Sequence, residues 1–343
     1  MASLQFFRLS DNELSGSLPD SIGSMRSLQR FYLSNNRISG EIPSSIGQLV
    51  NATDLYLDNN RLSGKIPTAI GRMSSLQTLD LSSNHLDGPI PVQISQLTNL
   101  QDLHLSFNPA LNLRSPPRFL GKINLFQLGL ADTGLVGVLP RWLASTSIST
   151  LDLSSNKLVG KLPTWIGNMT NLSNLNLSNN ALESAIPEEF MNLTQLLAVD
   201  LHSNKFTGPI RPVLAKKTSD PLGHYDSIDL SRNMFTGGID GDMGGLPAMD
   251  SLTAFDVSYN PLLGGKIPKS MGNLQNLAVV RMAGDGLTGT IPAGVLNIPS
   301  LAVFDVSYNR LRGMIPAHNA SLSDGGFKGN PGLCGAPLPP CKR

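Results

Sequence analysis

The sequence lacks a dominant charge, because its 343 residues carry 26 basic and 25 acidic side chains for a net charge of +1. This balance excludes strong electrostatic steering to nucleic acid or to an anionic membrane surface. No run of 18 apolar residues occurs, so the sequence predicts no membrane-spanning helix. Cysteine is almost absent, and the closeness of Cys334 and Cys341 indicates one local cross-link rather than a disulfide framework.

Asparagine, by contrast, recurs along the chain at steps of about 24 residues. Thr133 and Asp285 occupy two of the thirteen places, and the later steps lengthen before returning to 24. The thirteen positions are Asn12, Asn36, Asn60, Asn84, Asn108, Thr133, Asn156, Asn180, Asn204, Asn233, Asn260, Asp285 and Asn309. Around each runs the template L-x-x-L-x-L-x-x-N-x-L-x-G-x-I-P. Such fixed self-similarity predicts a repeat architecture.

Each column of the template has a physical reason. The alternating x-L-x-L-x stretch predicts a short strand whose leucines point inward and whose intervening residues point outward. The asparagine follows the strand, where its amide can satisfy buried turn backbone. Glycine permits a tight bend, and proline starts a short helical turn on the outer side. One unit cannot bury its own leucines but stacked units can, so we predict a single solenoid.

The L-x-G-x-I-P half of the template resembles the plant-specific class of leucine-rich repeats. That class includes ectodomains of receptor-like kinases and receptor-like proteins, and secreted polygalacturonase inhibitors. The tail FKGNPGLCGAPLPPCKR (327–343) is similar to the C-terminal cap of those ectodomains. The resemblance implies an α/β solenoid: a right-handed superhelix of about thirteen repeats with a parallel inner β-sheet and short 3-10 outer turns. It also implies an extracellular location and binding of a protein or peptide.

We predict two regions, a repeat solenoid at 1–320 and a C-terminal cap at 321–343 with a Cys334–Cys341 disulfide.

Three departures from the family qualify the resemblance. The N-terminal cap is missing, and Met1 aligns with the internal methionines Met25 and Met73, so we expect a truncated start without its signal peptide. Only Lys342 and Arg343 follow Cys341, as in the secreted members. Arg281-Met282-Ala283 offers half of the Arg-x-Arg that some peptide receptors of the family carry.

The longest step, from Asn204 to Asn233, contains the polar segment KKTSDPLGHYD (216–226), which predicts a solvent-exposed loop. Six sequons favour a secretory route and are the candidate glycosylation sites: Asn51, Asn168, Asn171, Asn176, Asn192 and Asn319. A glycan on Asn176 would obstruct the inner face.

Catalytic patterns are absent. The segment GDGLTG (284–289) matches G-x-G-x-x-G, but T-I-P follows where a dinucleotide site requires a helix. The five histidines lack metal-ligand spacing, and the aspartates between the inner leucines fit a structural role better than acid–base work. We therefore predict no enzyme activity, no cofactor and no metal site.

The outward strand positions are the large surface that the core does not dictate. Most repeats fill them with small polar residues, but the first three carry aromatic and charged side chains, which are common in binding hot spots. The predicted ligand-binding residues are Phe6, Arg8, Arg30, Tyr32, Asp54, Tyr56, Asp58 and His104. Arg8, Tyr32 and Tyr56 should form one row about 5 Å apart. Tyr259, Arg281 and Tyr308 form a second, smaller cluster.

The leading hypothesis is a non-enzymatic extracellular recognition module of a plant leucine-rich repeat receptor, in the cell wall or at the outer face of the plasma membrane. Its partner would be a peptide or protein in signalling or defence, with a co-receptor as a further partner. The alternative is a free secreted inhibitor of a microbial polygalacturonase or another wall-degrading enzyme. A purely structural wall protein is a third reading.

Overall fold

A computed structural model describes residues 3–145, 147–218, 221–318 and 322–341. The chain forms two compact units, Met1–Leu158 and Val159–Arg343. In the described ranges, no helix has the length and apolar character needed to cross a membrane. The predicted sequon Asn319 and the predicted boundary between solenoid and cap at residues 320 and 321 lie outside those ranges.

Among the residues that the structure describes, thirteen inner strands of three residues each match the thirteen predicted repeats. Paired strands run parallel, and the strands follow one another in chain order. The first unit contains Phe6–Arg8, Arg30–Tyr32, Asp54–Tyr56, Thr78–Asp80, Asp102–His104, Gln127–Gly129 and Thr150–Asp152. The second contains Asn174–Asn176, Ala198–Asp200, Ser227–Asp229, Ala254–Asp256, Val279–Arg281 and Val303–Asp305. This arrangement confirms the predicted leucine-rich repeat solenoid.

Shorter parallel sheets follow the inner strands in most coils. One contains Ser15–Ser17, Arg37–Glu41, Arg61–Lys65 and His85–Asp87. A second contains Val136–Gly137, Lys157–Lys161, Ala181–Ala185, Lys205–Pro209 and Met234–Thr236. A third contains Thr288–Gly289, Arg310–Met314 and Gly332–Cys334.

The outer side is built from single turns. The 3-10 turns are Asp20–Ser24, Ser44–Gln48, Thr68–Arg72, Val92–Gln96, Pro109–Leu111, Arg118–Lys122, Arg141–Ser145, Thr164–Asn168, Glu188–Asn192, Pro221–Gly223, Met243–Gly245, Pro247–Met249, Lys269–Asn273 and Asp324–Phe327. Two turns are α-helical, Arg211–Leu214 and Ala293–Leu296. The predicted proline precedes most of them: Pro43 has φ −68° and directly precedes Ser44. Gly47 lies within that turn, and a Cβ there would come within 2.2 Å of the Ala69 carbonyl oxygen, so adjacent coils require glycine.

The leucine columns form the core between the inner strands and the outer turns. Leu55 and Leu57, on either side of an outward residue, are both 0% exposed. Burying one such side chain contributes roughly 1.5–3 kcal/mol. The first coil is less covered, since Leu9 and Leu14 remain 40% and 38% exposed. Apolar burial therefore depends on having a neighbouring coil on each side.

The asparagine column ties neighbouring coils together through buried backbone groups. Asn60 donates from Nδ2 to the carbonyls of Leu57, Asp58 and, one coil earlier, Leu33, at 2.9–3.2 Å. Its Oδ1 accepts the backbone N–H of Ile38 in that earlier coil at 3.0 Å. One side chain thus satisfies four backbone groups that the coil removes from water, which is the role predicted for this column.

The ladder continues one step beyond the thirteen predicted positions. Asn330 lies in the predicted cap, donates to the carbonyls of Val306, Phe327 and Lys328, and accepts the N–H of Leu311. Its step from Asn309 is only 21 residues, so the 24-residue spacing did not reveal it. The cap begins as a shortened repeat.

The segment 216–226 departs from its prediction as a solvent-exposed loop. Lys216 and Tyr225 are 4% and 0% exposed. The Lys216 ammonium donates to the carbonyls of Leu196 and Gly223 and lies 3.8 Å from the centroid of the Tyr225 ring. Burial lowers the pKa of Lys216 to about 7, whereas the carbonyls and the ring face favour the charged form. The prediction was wrong for Lys216 and Tyr225, because a long aliphatic stem lets lysine fill the widened coil, whereas Lys217, Leu222 and Asp226 are exposed as predicted.

Two ladder positions hold residues other than asparagine, and both are fully buried. Thr133 donates from Oγ1 to the Leu130 carbonyl at 2.8 Å. Asp285 accepts the Asn260 N–H through Oδ1 at 2.8 Å, while its Oδ2 is buried without a hydrogen-bond partner. Burial, with the charge of Asp256 as a further cause, raises the pKa of Asp285 to about 8. The protonated acid can act as a donor where asparagine would otherwise do so.

We expect Asn60→Ala to lower the free energy of unfolding by about 2–4 kcal/mol, because several buried backbone groups lose their partner. Urea titration monitored by circular dichroism measures the loss. Asn59→Gly, at the exposed neighbouring position with φ +52°, is the control and should change stability by less than about 1 kcal/mol. Equal losses for the two variants would contradict the proposed role of the ladder.

We expect Asp285→Asn to stabilise the chain increasingly as pH rises. Between pH 4 and 8 the unfolded chain releases the Asp285 proton while the folded chain keeps it, so wild-type stability falls with rising pH. The gap between variant and wild type should widen by about 1.4 kcal/mol per pH unit from pH 5 to 7. Urea titrations at several pH values measure it, and a constant gap would exclude a retained proton.

Candidate functional site

The strand register of the first unit aligns the predicted residues in two outward rows. In one row, Arg8 pairs with Tyr32, Tyr32 with Tyr56, Tyr56 with Asp80, and Asp80 with His104. The other row contains Phe6, Arg30, Asp54, Thr78 and Asp102. Because parallel strands lie about 4.8 Å apart, side chains in one row can contact the same ligand.

Aromatic and ionic contacts organise the middle of these rows. The rings of Tyr32 and Tyr56 meet edge to face, with centroids 5.0 Å apart and an interplanar angle of 83°. Arg30 pairs through Nε with Asp54 Oδ2 at 3.3 Å, and its guanidinium lies 5.5 Å from the centroid of the Phe6 ring. These contacts restrict the rotamers of Tyr32, Tyr56 and Arg30, which lowers the entropy that binding would cost.

A shallow concavity of about 440 Å³ lies over the first of these rows. Its lining combines a cation, two aromatic rings, small polar groups and carboxylates: Arg8, Ser10, Asp11, Tyr32, Ser34, Asn35, Tyr56, Asp58 and Asp80. Asp58 is held at its edge by Ser34, whose Oγ donates to Asp58 Oδ1 at 2.6 Å. We call this feature the N-terminal concavity.

The electrostatics of the N-terminal concavity run from basic to acidic along the row. Burial, followed by the charge of Asp54, raises the pKa of Tyr32, and burial raises that of Tyr56, so both phenols stay neutral. Burial also raises the pKa of Asp80, and the neighbouring Asp58 charge adds to the effect. Along the row, the lining therefore passes from Arg8 through neutral rings to the carboxylates of Asp58 and Asp80, with the Asp11 carboxylate on the same coil as Arg8.

The structure brings together only part of the predicted site. Arg8, Tyr32, Tyr56 and Asp58 line the N-terminal concavity, whereas Phe6, Arg30, Asp54 and His104 are outside its lining. Sequence reasoning missed Ser10, Asp11, Ser34 and Asn35, and it placed Asp80 in a structural column. Their position in the repeat was the available signal, because Ser10, Asp11, Ser34 and Asn35 fill the two columns directly before the ladder asparagine.

The second predicted cluster belongs to the second unit. Tyr259 and Tyr308 are 49% and 70% exposed and occupy the column before the ladder residue, with φ of +62° and +54°. The Arg232 guanidinium lies 4.8 Å from the centroid of the Tyr259 ring. Arg281 approaches Asp256 at 3.9 Å. Bulky residues in left-handed backbone cost stability, so these two tyrosines are exposed at an energetic cost.

The described sequons differ in exposure. Asn51, Asn168 and Asn171 are exposed on the outer side, whereas Asn176 and Asn192 are half-buried. Asn176 accepts hydrogen bonds from the backbone and hydroxyl of Ser178.

The structure also joins Cys334 and Cys341, with an S–S distance of 1.97 Å. Among the described residues, Asp200, His202 and Asp229 of the second unit have the geometry to hold a metal ion.

Stacked coils with a ladder of asparagines and variable outward strand positions define a leucine-rich repeat recognition scaffold. A model of the leucine-rich repeat region matches residues 1–207, and the chain belongs to the leucine-rich repeat family. No curated protein sequence matches the chain.

Solved structures of plant receptors resemble the chain. The leucine-rich repeat ectodomain of the Arabidopsis thaliana membrane receptor kinase GASSHO1/SCHENGEN3, solved with CASPARIAN STRIP INTEGRITY FACTOR 2, is 32% identical over 99% of this chain and 42% of that one, with a TM-score of 0.82. The Arabidopsis receptor kinase HAESA, solved with the peptide hormone IDA and the co-receptor SERK1, is 29% identical over 92% and 60%, with a TM-score of 0.62.

The likeness is not confined to plants. The Leptospira interrogans leucine-rich repeat protein LIC12759 is 27% identical over 90% of this chain and 79% of that one, with a TM-score of 0.67. The chain spans 42% and 60% of the two plant structures, so it corresponds to a part of each.

We expect the Tyr32 and Tyr56 rings to be energetically coupled. A double-mutant cycle of Tyr32→Ala, Tyr56→Ala and the double variant should give about 0.5–1.5 kcal/mol in favour of the pair. Urea denaturation supplies the four stabilities. Additive effects would show that the rings are neighbours without interacting.

Proposed function

We propose that the chain is a non-enzymatic extracellular recognition module of a plant receptor, and that it binds a peptide at the N-terminal concavity. The observation that carries this proposal is the ordered row from Arg8 through Tyr32 and Tyr56 to Asp80. Aromatic and arginine side chains supply much of the energy of binding interfaces. The plant structures solved with a bound peptide hormone or factor support the same role.

The charge order of the row defines the chemistry of the ligand. Arg8 offers a partner for a carboxylate, and Asp58 and Asp80 offer partners for a cation. Three strand steps separate Arg8 from Asp80, which is about 14 Å, and four residues of extended peptide span about the same length. The preferred ligand is therefore an extended peptide whose acidic and basic residues are about four positions apart, with an apolar residue between them to contact the tyrosines.

Selection of a randomised displayed peptide library on the intact chain tests the proposal. Enriched peptides should carry the predicted acidic, apolar and basic spacing. For a synthetic copy of one such peptide, Tyr56→Ala should weaken binding at least tenfold in biolayer interferometry, since a buried aromatic contact supplies about 1.4 kcal/mol or more. Tyr32→Ala should act in the same direction.

Asp152→Ala is the matched control, because Asp152 holds the same outward strand position as Tyr56 four coils along and is outside the lining of the N-terminal concavity. It should leave affinity unchanged. Enriched peptides that bind the folded tyrosine variants as tightly as wild type would refute the site. Inhibition of a microbial polygalacturonase by a chain that selects no peptide would replace the receptor function with that of an inhibitor.

A further inference from the structure

Two carboxylates and one imidazole converge on the outward face of the second unit. Asp200 and Asp229 pair directly across adjacent inner strands, and His202 follows Asp200 by two residues. His202 Nδ1 lies 2.6 Å from Asp200 Oδ1 and 3.9 Å from Asp229 Oδ2. One ligand atom from each residue lies within 4.8 Å of the others.

The sequence around this group differs from that of the other repeats at one position. Elsewhere the column two residues after the strand aspartate holds serine, and the aspartate accepts the serine N–H, as Asp229 Oδ1 does from Ser231 at 2.9 Å. That local bond leaves Asp229 Oδ2 directed toward the neighbouring coil. His202 replaces serine in that coil, so an imidazole nitrogen enters the space between two carboxylates.

Asn179, one coil earlier, fixes the orientation of the imidazole. Its side-chain Nδ2 lies 3.0 Å from His202 Nε2, and the ring therefore turns Nδ1 toward the carboxylates. In that orientation Nε2 accepts from the amide, and Nδ1–H donates to Asp200 Oδ1. Metal binding at Nδ1 requires the other tautomer, with the amide turned so that its Oδ1 accepts from Nε2–H, and such a donated hydrogen bond is the usual support of a ligating histidine.

The distances and ligand types select the kind of ion. Ligand atoms about 2.1 Å from a tetrahedral or octahedral ion lie roughly 3.0–3.4 Å apart. The distances from His202 Nδ1 to the two carboxylates, 2.6 and 3.9 Å, lie just below and just above that range. One nitrogen and two carboxylate oxygens suit a borderline ion such as Zn²⁺, whereas Ca²⁺ prefers oxygen alone. The three side chains are 27–38% exposed, so water or a ligand can complete the shell.

We propose that Asp200, His202 and Asp229 form a Zn²⁺ site on the outward face of the second unit, with Asn179 as its supporting residue. The site stands independently of the peptide-binding proposal, because it uses other residues and other coils. Its open coordination positions face solvent, where a carboxylate or imidazole of a bound partner can enter.

Isothermal titration of the EDTA-treated intact chain with ZnCl₂ tests the site. We expect one ion per chain, and the visible absorption of a Co²⁺ substitute should show nitrogen and oxygen ligation. His202→Ser should weaken Zn²⁺ binding at least tenfold while preserving folding, because it restores the serine that follows the strand aspartate by two residues in other repeats. Asp229→Asn should do the same, and Asn179→Ala should weaken binding about tenfold through loss of support.

His104→Ser is the control, since His104 lies on an inner strand of the first unit beside Asp80. It should leave Zn²⁺ affinity unchanged. Wild-type chain that binds no Zn²⁺, or binds it as well with Ser at position 202, overturns the proposal. A histidine ¹⁵N signal from residue 202 that stays imidazolium in the presence of Zn²⁺ also overturns it, because a proton then occupies the space between the carboxylates.

Discussion

The side-chain amide of the ladder asparagine is the interaction on which the rest of the structure depends. Each coil reverses direction within a few residues, and the reversal leaves carbonyls and an N–H inside the stack, away from water. Asn60 satisfies these groups in its own coil and in the coil before it. Because unpaired buried backbone groups are costly, the leucines can pack as they do only where this amide closes the turn. Hydrophobic burial supplies the driving force, and the ladder determines its geometry.

Once the ladder and the leucines have fixed the coil, the outward strand positions are left free to vary. In the first unit this freedom produces a row that passes from arginine through two tyrosines to carboxylates. In the second unit it produces exposed Tyr259 and Tyr308 and the group around His202. The scaffold gives these side chains fixed spacing along the sheet, so local sequence changes alter binding chemistry without altering the fold.

The fold was predictable because its signal is periodic. Thirteen repeats of the template revealed the inner strands, the proline-led outer turns and the coil count. The sequence-based prediction failed where the repeat spacing changed and where a polar residue proved to be buried. Asn330 follows at a shortened step, and Lys216 belongs to a polar segment but fills the core of a widened coil. The candidate site was only partly predictable. The strand register aligned Tyr32 with Tyr56, but nothing local marks Ser34 or Asn35 as lining residues. Asp229 and His202 meet only because the coil between the paired residues Asp200 and Asp229 has 29 residues.

The irregular coils have a consequence for folding. Coils of equal length with the same asparagine and leucines are nearly interchangeable as neighbours, so a chain of uniform repeats could stack out of order or skip a coil. A lengthened coil with its own buried contacts, such as Lys216 against Tyr225 and two carbonyls, accepts few substitutes beside it. We therefore expect the irregular coils to disfavour incorrect pairing between repeats during folding.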